Sequence, residues 1–399
     1  MKKWAWAALI LGALAGPVAA KTGDNPTWVR AFAAPPMWIP RATELTMENQ
    51  TVRFPVRLSA GGSQLSIRLS GEHDRAPVAI AAASIKVGGG FIPLHFSGGA
   101  AVTLTPGAAV VSDPVTAKVQ AGQIVELSLY IAQPALLSTI HRDPMNAATI
   151  SQPGDFTQKA DLLVATTTVM RPFLAAVDVL PDRPMRTIVA FGDSISDWDC
   201  AYTAGECQWE LTLQRRLDEA GKPYAVANVA ISASRVLKDG PPTPWSSLSA
   251  EARFDRDALS VPNVAYIVFM QGVNDIGLSG PNSDPAMDSP VVSADALIDG
   301  YKRLIARAHA RGIRVYAAEI LPFSGNWSWS ADKEAVRQKV NAWIRTGGAF
   351  DGVVDFQKAV ADPADPTKLA KGFDNGDHLH PSAAGQRAMG EAVDLKLFQ

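Results

Sequence analysis

Long apolar runs are scarce in this chain, and so are cysteine, histidine and any excess of charge. Beyond the first 20 residues no stretch approaches the ~18 uninterrupted apolar residues that a membrane-spanning helix requires. Stable membrane insertion is therefore not expected of the processed chain. The 37 Lys and Arg are balanced by 39 Asp and Glu, for a formal net charge of -2. No basic field marks nucleic acid or an anionic membrane as a partner. The 2 cysteines, Cys200 and Cys207, have no third or fourth ligand nearby, which disfavours a metal centre there. No HExxH motif occurs either, and neither metal nor cofactor is expected.

What is present begins with MKKWAWAALILGALAGPVAA. Lys2 and Lys3 precede a short apolar run, and Val18-Ala19-Ala20 supplies small residues for cleavage. This is the pattern of a secretory signal peptide over residues 1–20, so the protein is expected to be secreted or periplasmic. In that compartment Cys200 and Cys207 are expected to form a disulfide. The 399 residues, 47% of them hydrophobic, suffice for more than one domain.

The chain changes texture near Asp182. Between Thr27 and Leu180 it is built of short alternating runs such as TVRFPVRLSA, SQLSIRLSG and IVELSLYIA, divided by Gly and Pro. That spacing predicts an antiparallel β-sandwich or jelly-roll-like module over residues 21–181. Trp28, Phe32, Met37 and Trp38 precede its first clear strand and are read as an extended segment packing on the second domain. Over residues 182–399 strands alternate with helices: Thr187–Phe191, Tyr224–Val229, Val264–Met270, Val315–Leu321 and Gly352–Phe356 read as strands. Ala294–Arg311 reads as a helix, with Leu297, Tyr301, Leu304, Ile305 and Ala308 on one face. Such alternation predicts a three-layer α/β domain with a parallel sheet, and sites in such sheets gather beyond the carboxyl ends of the strands.

Ser194 stands at that end of the first strand, in GDSIS. A lone Gly-Asp-Ser is ordinary turn chemistry, so a hydrolytic serine needs a base, a group to orient it and oxyanion donors. His73, His95 and His141 fall in the β module, and His309 falls in the amphipathic helix. His378 and His380 remain, in DNGDHLHPSAAGQRAM. Asp377 precedes His380 by three residues, close enough in a tight loop to fix the imidazole tautomer. Asp377, His378 and His380 could also ligate a metal, a reading ranked below the triad. Asn274 follows the third strand and carries an amide suited to developing negative charge, while the turn after the second strand offers backbone N–H groups.

In order, Gly192-Asp193-Ser194-Ile195, Ile231-Ser232-Ala233, Gly272-Val273-Asn274-Asp275 and Asp377-x-x-His380-Pro381 resemble the four sequence blocks of the SGNH/GDSL hydrolases. The resemblance runs from about Arg186 to the C-terminus. It implies a flavodoxin-like sheet, Ser194 as nucleophile, His380 as base and Asp377 as its partner. It also implies an oxyanion hole from the N–H groups of Ser194 and Ala233 and the Asn274 side chain. The N-terminal module resembles the accessory domain of secreted bacterial members similar to carbohydrate acetylesterases. The family usually has glycine where this chain has Ala233. A negative φ would let alanine donate its N–H without strain, whereas a positive φ would be strained.

The expected protein is thus a secreted serine esterase acting on short acyl groups, most simply acetyl on carbohydrate, through an acyl-enzyme on Ser194. Its partner would be a small-molecule or polysaccharide ester. A lipid acylhydrolase and a non-catalytic carbohydrate-binding surface protein are the alternatives. Trp327 and Trp329, in PFSGNWSWS, bear on the choice as a lid, as sugar-stacking rings or as packing.

Overall fold

Strict alternation over Gln50–Arg57 turns Val52, Phe54 and Val56 inward, where all three are buried. That strand belongs to a six-stranded antiparallel sheet with Val164–Thr168, Ala148–Ser151, Ile124–Ile131, Ala82–Val87 and Gly90–Pro93. A five-stranded antiparallel sheet formed by Val29–Ala33, Leu174–Leu180, Gly62–Ser70, Ala109–Val111 and Val115–Val119 shares its core. The N-terminal region is therefore the expected antiparallel sandwich. The computed structural model describes residues 27–39, 44–142, 148–197, 208–240, 247–280, 283 and 290–399. The leader expected at residues 1–20 and the pair Cys200 and Cys207 lie outside the described residues. Among the described residues no helix is long and apolar enough to cross a membrane.

The C-terminal region is a three-layer α/β unit. Its five parallel strands lie in the spatial order Tyr224–Asn228, Arg186–Gly192, Val264–Met270, Arg314–Ala318, Gly352–Val354. In chain order that is 2-1-3-4-5, the flavodoxin-like arrangement, whose switch point lies past the ends of the first and third strands. Helices Trp209–Glu219 and Ala383–Ala392 pack together, as do Ala294–His309 and Ala331–Thr346. Ser293 caps Ala294–His309 by accepting the Ala296 N–H at 3.1 Å, and the expected apolar face is buried. The helix closes two residues earlier than Arg311, because Gly312 turns the chain back onto the His309 carbonyl.

The segment expected to be merely extended before the first strand is itself paired. Val29–Ala33 is the edge of the five-stranded sheet, and Met37–Trp38 joins Thr139–Arg142 and Met170–Pro172 in a small sheet. Its small residues and paired prolines hide the alternation that marks the other strands. Both pieces meet the α/β unit. Ala225 joins the sandwich core, Ala33 packs on the α/β core, and Met37, Ile39 and Ile140 cluster with Ile231.

Candidate active site

The strand that delivers Ser194 is almost wholly buried from Thr187 to Gly192. Its last residue, Gly192, has no room for a side chain, since a Cβ there would come within 2.7 Å of the Met270 carbonyl and 2.9 Å of Ser196 Oγ. Asp193 then turns the chain, its carboxylate accepting the Ile195 N–H at 3.1 Å, and Ser194 opens the short helix Ser194–Asp197. Burial pushes the Asp193 carboxyl up to about 7, against the pull of that N–H and of His380. Beneath the turn lies Arg253, fully buried. It donates to the carbonyls of Val229 at 2.7 Å and Gly192 at 3.0 Å, and its guanidinium lies 4.0 Å over the Phe191 ring. One cation thus ties together the ends of the first two strands.

The loop from Asp374 to Pro381 brings His380 to Ser194. Asp377 accepts the backbone N–H groups of Leu379 at 2.9 Å and His380 at 2.8 Å, and its other oxygen faces His380 Nδ1 at 2.6 Å. Burial acts upward on this carboxyl, but the His380 ring and the two N–H groups carry it down to about 2. A carboxylate held ionised accepts a hydrogen bond from the Nδ1–H, which fixes the tautomer and turns Nε2 toward a hydroxyl. That nitrogen lies 2.8 Å from Ser194 Oγ. His378 is directed elsewhere: its Nδ1 lies 2.6 Å from Asp374, and its ring packs over Gly325. The two histidines of this loop thus have separate carboxylates, and His380 is the one joined to Ser194.

The turn after the second strand holds Ala233 at φ +57°, the left-handed region. The unstrained alternative, with a negative φ, is not what the chain adopts. The turn closes by the Ser234 N–H donating to the Ile231 carbonyl at 3.1 Å, with Ala233 at its third position in a conformation that favours glycine. Asn274 Nδ2 donates to the Ser234 carbonyl at 3.2 Å, and Gln271 Nε2 donates to Ser234 Oγ at 2.8 Å. Asp275 accepts the N–H groups of Val236 at 2.7 Å and Leu237 at 3.0 Å. Burial pushes this carboxyl up to about 6 against those two donors. The segment after the third strand therefore holds the one after the second at Ser234, Val236 and Leu237. Among the described residues the Ser194 and Ala233 N–H groups have no acceptor.

Several of these supports escaped sequence reasoning. Arg253 carried a signal in its i, i+4 spacing to Asp257, which it meets at 3.3 Å. Asp197, whose carboxylate accepts both the N–H and the hydroxyl of Ser232, looked like one more polar residue in a turn.

The sequence of residues 190–388 matches the family described as GDSL-like lipase/acylhydrolase. No curated protein matched the chain. Solved structures that resemble it include a variant of the acetyl-xylooligosaccharide esterase Axe2 from Geobacillus Stearmophilus, at 19% identity over 54% of this chain and 94% of that one, TM-score 0.40. A lipase/acylhydrolase from Enterococcus faecalis is 17% identical over 52% and 93%, TM-score 0.39. A GDSL-like lipase from Bacteroides thetaiotaomicron is 16% identical over 53% and 87%, TM-score 0.38.

Proposed function

This chain belongs, through residues 190–388, to the GDSL-like lipase/acylhydrolase family and is a carboxylic ester hydrolase; from that premise we propose that it is an exported serine esterase releasing short acyl groups, acetyl foremost, from carbohydrate. The observation that carries the mechanism is the unbroken path from Ser194 Oγ through the His380 ring to the Asp377 carboxylate.

Ser194 Oγ attacks the ester carbonyl carbon as His380 Nε2 takes its proton. Negative charge on the former carbonyl oxygen is met by the N–H groups of Ser194 and Ala233 and the Asn274 amide. His380 then gives the proton to the departing alcohol oxygen as the acyl–oxygen bond breaks, leaving Ser194 acylated. Water, deprotonated by the same nitrogen, attacks this ester, and the proton returns to Ser194 Oγ as the acid leaves.

One observation favours a sugar-borne acyl group, and another a short one. Trp327 is 63% exposed, and its neighbour Asn326 donates to the Asp377 carbonyl at 2.9 Å, so an open indole stands on the loop that braces the triad. Such a face suits a pyranose ring. Trp329, by contrast, packs on the α/β core. Ala233 adds a methyl group where glycine would add none. Export rests on the leader sequence at residues 1–20, and with it a Cys200–Cys207 disulfide. We divide the chain into an accessory module at 21–181 and a catalytic domain at 182–399.

The test is a series of aryl esters from acetate to decanoate beside a panel of acetylated polysaccharides. Highest kcat/KM on acetate, with acetate released from at least one polysaccharide, supports the reading. An optimum at octanoate or longer would assign the protein to lipid acylhydrolases.

A further inference from the structure

We propose that His141, contributed by the N-terminal β region, is a positioning residue for the esterase site; this rests on the reading of Ser194 as nucleophile and of the Ala233 N–H as an oxyanion donor. His141 lies on the strand Thr139–Arg142, in the small sheet with Met37–Trp38 and Met170–Pro172. Its ring is buried, and it reaches out of that sheet to the helix that begins with Ser194. Nδ1 is 2.9 Å from the Pro35 carbonyl and Nε2 is 3.1 Å from Asp197 Oδ1.

Both ring nitrogens therefore face oxygen. A carbonyl and a carboxylate can each only accept, so the ring is the donor side of this bridge. The ring thus bridges the Pro35 carbonyl and the Asp197 carboxylate, with side chains only 9% and 5% exposed. The other oxygen of Asp197 accepts the Ser232 N–H at 2.6 Å and the Ser232 hydroxyl at 2.7 Å. Ser232 immediately precedes Ala233. One carboxylate thus connects the nucleophile's helix, the donor-bearing turn and the N-terminal region.

The apolar contacts repeat the connection. Ile140, next to His141, packs with Met37 and Ile39 on Ile231, which precedes Ser232. The strained Ala233 is held from one side by Asn274 and Gln271 through Ser234, and from the other by His141 and Ile140 through Ser232 and Ile231. A backbone donor aimed at an oxyanion acts only in the transition state, and losing one outright typically costs ~10²–10³ in kcat. Removing the His141 ring leaves the buried Asp197 carboxylate without the partner of one of its oxygens. The carboxylate then shifts toward other donors and loosens its hold on Ser232, so a misaimed donor takes part of that loss.

The test uses the full chain with His141→Asn and His141→Gln, assayed on an aryl acetate. The asparagine amide can keep the Pro35 contact but falls short of Asp197, whereas the glutamine amide reaches Asp197. Expected is a fall in kcat of about tenfold in His141→Asn, with KM within about twofold and the melting temperature little moved. His141→Gln should recover kcat to within about threefold of the parent. A cycle with Asp197→Asn guards against a poorly folding single variant: the double variant should lose no more than Asp197→Asn alone. Equal kcat in the asparagine and glutamine variants, or fully additive losses, would overturn the positioning role. Ser194→Ala is run in parallel. If it still turns over ester, the nucleophile reading falls and His141 falls with it. If it is inactive while His141→Asn behaves like the parent, only the role of His141 is wrong.

Discussion

Ser194 Oγ and His380 Nε2 meet at 2.8 Å across 186 residues of chain. The sheet brings them together: Ser194 leaves the first strand at the switch point, and the His380 loop returns after the fifth strand to the same edge. His380→Ala should therefore lose nearly all turnover, by three orders of magnitude or so. His378→Ala should retain most of it, since its ring is committed to Asp374. Steady-state kinetics on an aryl acetate decide this, and the reverse ranking would move the base to His378.

Trp327 separates substrate classes. If its exposed indole receives a sugar ring, Trp327→Ala should raise KM on an acetylated oligosaccharide by about tenfold, a loss on the order of 1–2 kcal/mol. The same change should leave kcat/KM on an aryl acetate nearly unaltered. Parallel loss on both substrates would assign Trp327 a packing role.

Asp193 gives a pH signature in stability. Its buried carboxyl is pushed up to about 7, whereas the unfolded chain releases that proton near pH ~4. Between those values the folded state binds more protons, so the stability this group contributes falls as pH rises through the window. Asp193→Asn removes the titration. Its melting temperature relative to the parent should therefore climb steadily from pH 4 to pH 7. A constant difference across that range would contradict a raised carboxyl at this position.

Ala233 is held at φ +57°, which costs an L-residue roughly 1–2 kcal/mol. Ala233→Gly should relieve that strain, less the entropy that glycine adds to the unfolded chain. Net stabilisation of about 1 kcal/mol is expected in a denaturation experiment. On aryl esters the same variant should flatten the decline from acetate to decanoate while changing acetate turnover little. A less stable variant would show that the methyl group contributes packing worth more than the strain.

The sequence carried the parts of this structure that depend on local periodicity. Alternation marked Gln50–Arg57, the 3.6-residue stripe marked Ala294–His309, and the polar break after Phe191 marked Ser194. The pairing of His380 with Asp377 was legible because the two sit three residues apart, a relationship that needs no tertiary information. The remainder depends on distant pairings that leave no periodic trace. Arg253 acts on carbonyls at Val229 and Gly192, Asp197 acts on Ser232, and His141 reaches Asp197 from another sheet. Each looks in sequence like an ordinary polar residue. The φ of Ala233 was equally hidden, because alanine ordinarily takes a negative φ and nothing in its neighbours announces the left-handed one.

The central claim is that Ser194 carries the acyl group between two halves of one reaction. It is tested most directly by mixing the protein with excess aryl acetate, quenching in acid within the first turnovers, and measuring the digested peptides by mass spectrometry. The account predicts one added acetyl group on the peptide containing Ser194, absent from Ser194→Ala, which should also lack turnover. Undiminished ester hydrolysis by Ser194→Ala, with no acetyl group on the parent's Ser194 peptide, would contradict it.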